Sequence, residues 1–185
     1  MIIICIELMI LKLGVGEIKN IILLGMPYSG KSSVGEYISK RNKFNLFDSD
    51  ELIEKIEDMS TNDICLSKGE EFFKNDECEL LGIIKDQKNM ILACGCGMPC
   101  HDDILSKFKK IGITVYLKVP IEILNERKEK DSSKTSVKGK GVNDLSELLG
   151  KRSKIYQKAD ITIDAEKLTI AELSSKVIKK VKEYK

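Results

Sequence analysis

The chain has 185 residues, 42% of them hydrophobic, and its 31 basic side chains nearly balance 29 acidic ones. This length and charge balance predict one globular domain and argue against a nucleic-acid-binding or membrane-binding surface. Six cysteines in a chain this large, without a secretory signal, predict reduced thiols in a cytoplasmic protein rather than a disulfide scaffold.

The N-terminal segment, residues 1–17, is expected to be an extension without a functional role. Its apolar run from Met1 to Leu13 is interrupted by Glu7 and Lys12 and is too short to span a bilayer. We therefore predict a single domain over residues 18–185.

A phosphate-binding loop follows the first predicted strand, residues 18–24. The next residues fit the pattern G-x-x-x-x-G-K-[ST] and lead into a predicted helix over residues 32–40. In such a loop the backbone N–H groups surround phosphate, the lysine reaches the β- and γ-phosphates, and the final hydroxyl can ligate Mg²⁺. We therefore predict an ATP site formed by Gly25, Met26, Pro27, Tyr28, Ser29, Gly30, Lys31, Ser32 and Ser33.

Two aspartates, Asp48 and Asp50, follow a short apolar strand at residues 44–47. At the carboxyl end of a strand beside a phosphate loop, one carboxylate can hold Mg²⁺ and the other can orient or deprotonate a hydroxyl. The same residues could instead cap the helix predicted over Glu51–Asp58. Both roles are compatible with the spacing, which does not choose between them.

The rest of the chain alternates helices and strands. The patterns predict helices from Ser60, over Gly69–Gln87, His101–Lys110, Pro120–Lys130, Asn143–Lys158 and Thr169–Tyr184, and strands over Met90–Cys94, Gly112–Val119 and Ile161–Asp164. With the first two strands, this alternation predicts an α/β fold, a three-layer sandwich with a five-stranded parallel sheet and helices on both faces. The polar residues 131–142 are predicted to form a flexible lid, and the loop after the last strand could border an adenine pocket.

Two side-chain groupings invite more specific expectations. Lys74 and Glu77 are three residues apart on the long helix, so they are expected to pair. A Zn²⁺ site from Cys94, Cys96, Cys100 and His101 is conceivable, but the spacing matches no common C-x-x-C pair. The favoured alternative has the Cys94 side chain in the sheet and His101 in the first turn of a surface helix.

Taken in order, these motifs resemble the shikimate kinase family, a member of the nucleoside-monophosphate-kinase-like group of phosphate-loop enzymes. The likeness covers about residues 18–184. It rests on Gly25–Ser32, Asp48-Ser49-Asp50, Gly69–Glu77, Gly95-Cys96-Gly97, Arg127, and Arg152 with Tyr156. The resemblance implies an enzyme that uses ATP and Mg²⁺ to phosphorylate the 3-hydroxyl of shikimate in aromatic amino acid biosynthesis. It also implies a monomer whose partner is a small-molecule substrate, with no nucleic acid or membrane involved.

The same resemblance implies roles for individual residues. Ser32 and Asp48 would serve Mg²⁺, and Arg127 would contact the adenine nucleotide. Acceptor binding would involve Asp50, Lys74, Gly95, Cys96, Gly97 and Arg152. Catalysis would involve Lys31, Asp50 and, from the lid, Lys134.

Three departures from the family pattern concern the acceptor side. Lys74 and Lys134 stand where the family has arginine, and Cys96 stands where it has glycine. Arginine holds a carboxylate or phosphate with a planar fork, whereas lysine is a flexible point charge. Two alternatives therefore stay open: a gluconate-like or other hydroxy-acid kinase of the same superfamily, and a degenerate nucleotide-binding regulatory protein.

Overall fold

Five parallel strands form one sheet in the structure, a computed structural model that describes residues 19–101, 103–130 and 144–184. In chain order they are β1 (Ile21–Leu24), β2 (Asn45–Asp48), β3 (Met90–Ala93), β4 (Ile113–Lys118) and β5 (Ile161–Asp164). Across the sheet the order is β2-β3-β1-β4-β5. Every β1 residue is fully buried, and since neighbouring side chains point to opposite faces, both faces are covered. The predicted α/β fold is confirmed.

Eight helices connect and cover the strands within the described residues. They are α1 (Lys31–Asn42), α2 (Ser49–Glu57), α3 (Thr61–Ser67), α4 (Glu70–Ile84), α5 (Ile104–Ile111), α6 (Ile121–Lys130), α7 (Leu145–Tyr156) and α8 (Ile170–Glu183). Thr169 and Glu172 form a capping box at the start of α8. No helix in these ranges combines the length and the apolarity needed to cross a bilayer.

The predicted helix start at His101 is wrong. A short 3₁₀ helix, Met98–Cys100, comes first, and α5 begins only at Ile104. Pro99 lies in the first turn of the 3₁₀ helix, where its missing N–H costs no hydrogen bond. His101 is consequently turned inward and is only 21% exposed.

The expected pairing of Lys74 with Glu77 is also wrong. The Lys74 Nζ lies 3.6 Å from a carboxylate oxygen of Glu71, on the preceding turn of α4. Glu77 belongs to the buried face of α4, together with Leu80 and Leu81, and is 1% exposed. Packing of that face against the domain directs Glu77 away from Lys74.

The predicted extension, residues 1–17, and the predicted lid, residues 131–142 with Lys134, lie outside the described residues. Of the six cysteines, the five in the described part of the chain are free thiols: Cys65, Cys78, Cys94, Cys96 and Cys100.

Asp160, the residue before β5, forms side-chain hydrogen bonds to Thr114 of β4. Its Oδ2 accepts hydrogen bonds from the Thr114 backbone N–H at 2.9 Å and hydroxyl at 2.7 Å, and Lys109 Nζ lies 2.9 Å from Oδ1. Burial acts in the opposite direction, but these hydrogen bonds and the Lys109 ammonium hold the pKa of Asp160 below its ordinary value. The carboxylate form of Asp160 is therefore favoured by folding.

We expect Asp160→Asn to lower the free energy of unfolding at neutral pH by about 1.5–3 kcal/mol, the range for hydrogen bonds to a charged group. Because the folded-state pKa is depressed, the charge-dependent stabilisation is complete above the unfolded-state pKa and is lost as pH falls through the folded-state pKa. Urea unfolding at successively lower pH measures this, and the gap between wild type and variant should narrow in acid. Glu36→Gln, which removes an exposed ion pair with Lys40, is the control; an equal loss in both variants would contradict the prediction.

Candidate active site

One cleft of about 740 Å³ lies at the carboxyl ends of β1, β2 and β3. It brings together most of the residues that the sequence pointed to: Pro27, Tyr28, Gly30, Lys31, Ser32, Ser33, Asp48, Asp50, Lys74, Cys96, Gly97, Arg127 and Arg152. Four others are buried behind its surface: Gly25, Met26, Ser29 and Gly95. Ligands of open parallel sheets bind at this edge.

The glycines of the phosphate loop adopt backbone conformations that disfavour a side chain. Gly25 has φ +152° and Gly30 has φ +91°. A Cβ atom at Gly25 would lie 2.8 Å from the Ser29 hydroxyl oxygen and 3.0 Å from the Leu117 carbonyl oxygen. The tight path of the loop at the end of β1 therefore depends on glycine.

Lys31 places its charge at the mouth of this loop. Its Nζ donates hydrogen bonds to the carbonyl oxygens of Gly25 and Met26, each at 3.0 Å. Lys31 is also the first residue of α1, which begins after Gly30 without a side-chain cap. An ammonium group and an uncapped helix N-terminus side by side form an anion-binding site.

Asp48 has two contacts, one for each carboxylate oxygen. Oδ1 accepts a hydrogen bond from the Asp50 backbone N–H at 3.1 Å and so caps α2. Oδ2 accepts a hydrogen bond from the Ser32 hydroxyl at 2.6 Å. The capping interpretation is confirmed, yet the cap leaves a carboxylate oxygen beside the serine of the phosphate loop.

This pair of hard oxygen groups fits Mg²⁺, which proteins hold with one or two carboxylates while substrate phosphates and water complete the shell. In the described part of the chain, no group of three or more His, Cys, Asp or Glu side chains is arranged to hold a metal ion. The Zn²⁺ alternative therefore has no support from the positions of Cys94, Cys96, Cys100 and His101.

Asp50 lies against the glycine of the loop after β3. The Gly95 N–H donates to the Ser49 hydroxyl oxygen at 2.6 Å, and a Cβ atom at Gly95 would collide with Asp50 Oδ1. Burial first, and the neighbouring Asp48 charge second, raise the pKa of Asp50 to about 6, although Lys31 acts in the opposite direction. A carboxyl group with this pKa can accept a proton near neutral pH.

Arg152 and Tyr156, one turn apart on α7, hold the next residues of that loop. Arg152 Nη1 donates to the Cys96 Sγ at 2.9 Å, and the Tyr156 hydroxyl donates to the Cys96 carbonyl oxygen at 2.5 Å. A Cβ atom at Gly97 would lie 3.4 Å from Arg152 Nη2. Burial raises the pKa of Tyr156 well above its ordinary value, so the phenol stays a hydrogen-bond donor.

Arg127 connects α6 to the phosphate loop. Its Nη1 donates to the Tyr28 carbonyl oxygen at 2.9 Å. Tyr28 has φ +64°, an uncommon conformation for a residue with a side chain. The arginine contact therefore helps to stabilise an unfavourable turn on the nucleotide side of the cleft.

The cleft also includes residues that the sequence did not place in the phosphotransfer site. Glu77 and His101 lie at the acceptor end, with His101 Nε2 2.8 Å from Glu77 Oε2. Leu168 and Thr169, from the loop after β5, and Ile170, the first residue of α8, line the same cleft. Glu77 ends the motif that begins at Gly69, so that motif could have indicated it, whereas His101 was considered only as a Zn²⁺ ligand.

The sheet order, the phosphate loop after β1 and the carboxylates at the end of β2 define a phosphotransferase of the nucleoside-monophosphate-kinase-like class. The family model for shikimate kinase matches residues 27–182. A shikimate kinase of Clostridium botulinum (strain Loch Maree) is 40% identical over 147 residues, covering 78% of this chain and 86% of its relative. A shikimate kinase of Thermodesulfovibrio yellowstonii is 34% identical over 162 residues, and the match covers 87% of this chain and 94% of its relative.

Among solved structures, the shikimate kinase of Acinetobacter baumannii in complex with shikimate superposes with a TM-score of 0.82 at 27% identity. The match covers 91% of this chain and 95% of that one. The chain therefore belongs to the shikimate kinase family.

Gly95→Ala should push the Asp50 carboxylate out of place, because the added methyl group would collide with it. A displacement of about 1 Å at a reacting group can cost about 100-fold in rate, so we expect a loss of phosphoryl transfer of that order. Steady-state kinetics compare it with Gly82→Ala, at an exposed position of α4 where the methyl group would meet nothing within 4 Å. Near-normal turnover in Gly95→Ala would show that the close approach of Gly95 to Asp50 is dispensable.

Proposed function

We propose that this protein transfers the γ-phosphoryl group of ATP to the 3-hydroxyl of shikimate, forming shikimate 3-phosphate and ADP in aromatic amino acid biosynthesis. The main support is that a chain of the shikimate kinase family has its phosphate loop, its paired aspartates and Arg152 around one cleft. The reaction needs little covalent chemistry from the protein, so positioning and charge neutralisation account for most of the catalysis.

The nucleotide end of the cleft accounts for phosphate binding. The backbone of residues 25–33 and the N-terminus of α1 would surround the phosphates, and Lys31 would neutralise the β- and γ-phosphates. Arg127, which contacts the loop at Tyr28, would face the adenine nucleotide. Ser32 and Asp48 would hold Mg²⁺, which would offset the negative charge of the phosphates.

The acceptor end provides a base and a carboxylate clamp. Asp50, with its pKa raised to about 6, would orient the 3-hydroxyl and take its proton as the phosphoryl group is transferred. Arg152 and Lys74 would hold the acceptor carboxylate, together with backbone at Gly95, Cys96 and Gly97. Because Cys96 and the α7 backbone already position Arg152, its guanidinium is preorganised for a planar carboxylate.

Lys134 is proposed to contact the transferring phosphoryl group from the predicted lid, residues 131–142. This role rests on the family resemblance, since the segment lies outside the described residues. We further propose a cytoplasmic monomer that acts on a small molecule without a nucleic-acid or membrane partner, as its nearly balanced charge suggests. Residues 1–17 are proposed to be dispensable for activity.

A coupled assay of ADP release with ATP, Mg²⁺ and a panel of acceptors tests the function. Shikimate-dependent turnover above a control without acceptor supports the proposal. Turnover with gluconate or another hydroxy acid, but not with shikimate, would instead identify a hydroxy-acid kinase of the same superfamily. ATP binding without turnover on any acceptor would instead indicate a degenerate, regulatory nucleotide-binding protein.

Asp50→Asn should lower kcat by about 100-fold or more while leaving the Kd for ATP within about threefold, because a general base contributes roughly 10²–10⁴-fold in rate. The amide keeps the shape of the side chain but cannot accept the proton. Kinetics and equilibrium titration with ATP separate the two quantities. If turnover survives almost unchanged, Asp50 serves only in the first turn of α2.

A further inference from the structure

A carboxylate is buried at the acceptor end of the cleft. Glu77, on α4, is 1% exposed yet borders the cleft. Among the residues that the structure describes, its near polar contact is with His101, whose Nε2 lies 2.8 Å from Glu77 Oε2. A buried carboxylate with so few polar contacts depends on a nearby positive charge.

His101 also adjoins the proposed carboxylate clamp. A Cβ atom at Gly97 would lie 3.6 Å from His101 Nε2 and 3.4 Å from Arg152 Nη2. The imidazole and the guanidinium therefore flank the same glycine of the acceptor loop. Lys74, the other proposed carboxylate contact, forms its ion pair with the exposed Glu71.

Two carboxylates, that of Glu77 and that of a bound acceptor, would repel each other at this end of the cleft unless a positive charge lies near them. An acceptor carboxylate bound at Arg152 would share the cleft with the Glu77 carboxylate, which contacts His101 beside the same glycine, and like charges in a poorly solvated site repel each other. A positive imidazolium on His101 removes that repulsion, because it lies against Glu77 and beside Arg152.

We propose that His101 is a positioning residue of the acceptor subsite, whose imidazolium neutralises Glu77 and so permits an acceptor carboxylate to bind at Arg152. This inference rests on the proposed function. It predicts that acceptor affinity falls when the side chain at position 101 cannot carry a positive charge. Binding of ATP, at the other end of the cleft, is expected to stay the same.

Other ionisable groups lie in or around the same cleft, and their effects must be separated from that of this pair. Those that interact with Glu77 electrostatically are Asp50 from α2, Cys65 from α3, and Cys94 and Cys100 around the acceptor loop, and the cleft is also lined by Lys31, Asp48, Glu70, Lys74, Cys96 and Arg152. Burial raises the pKa of Cys65, Cys94 and Cys100, which keeps these thiols neutral. Because all of these groups are the same in the wild type and in the His101 variants, a difference between the proteins reports on His101.

The experiment measures kcat and both KM values for wild type, His101→Gln and His101→Arg. In His101→Gln the KM for shikimate should rise about tenfold, since uncompensated like charge costs about a decade in affinity. His101→Arg keeps a positive charge, so its KM for shikimate should stay close to that of the wild type. The kcat and the KM for ATP should change less than about twofold in both variants, because losing a contribution to acceptor binding alone raises the KM for the acceptor and leaves kcat unchanged.

Two further variants make the result specific. His101→Gln combined with Glu77→Gln removes both charges and should recover most of the affinity for shikimate. Lys40→Gln removes an exposed cation from another ion pair and should leave every parameter unchanged. Thermal unfolding and ATP titration of each variant verify that it is folded.

The outcomes are distinct. If the wild type turns over shikimate but the KM for shikimate is the same in His101→Gln, the positioning role is wrong and the proposed function stands. If His101→Arg behaves like His101→Gln, then shape rather than charge is responsible and the inference is overturned. If the wild type shows no shikimate-dependent turnover, both the proposed function and the inference fail.

Discussion

The parallel pairing of β3 between β1 and β2 determines where chemistry can occur in this protein. Ala93 pairs with Leu23 on one side and with Asp48 on the other, so three strands end at nearly the same level. The phosphate loop, the paired aspartates and the glycine-containing acceptor loop each begin within about two residues of those ends. Shifting one strand by a single register position would move a loop by about 3.3 Å and separate these groups.

Close backbone approach is the second requirement, and it explains two of the glycines. At Gly25 a side chain would meet the Ser29 hydroxyl, and at Gly95 it would displace Asp50. The first contact lies within the tight phosphate loop, and the second joins segments far apart in sequence. A side chain at either glycine could be accommodated only by moving a residue of the site. Glycine at these positions keeps the phosphate loop narrow and holds Asp50 against the acceptor loop.

Two of the departures from the family pattern, Cys96 and Lys74, lie in the described part of the chain and have different structural consequences. Cys96 is accommodated because its thiol accepts a hydrogen bond from Arg152, while the backbone beneath it is held by Tyr156. Lys74 retains a positive charge in the cleft but is directed to Glu71 rather than to Glu77. The buried Glu77 is met instead by His101, from a different part of the chain. The acceptor end thus places a basic side chain beside Glu71 and another beside Glu77, and the two come from different parts of the chain.

Much of this protein could be predicted from sequence because its signals are local. The alternation of apolar runs and amphipathic segments defined the parallel α/β fold, and the spacing from Gly25 to Ser32 identified the phosphate loop within a single stretch. The pairing of Glu77 with His101 could not be predicted from the sequence. On a helix, Lys74 has an acidic neighbour three residues away on either side, Glu71 and Glu77, and the spacing does not choose between them. Only the packing of α4 determined which of them is buried. Likewise, the short 3₁₀ helix that turns His101 inward depends on how the loop after β3 meets α7. Local pattern therefore determined the elements and the nucleotide loop, whereas contacts between distant segments decided the charge arrangement of the acceptor end.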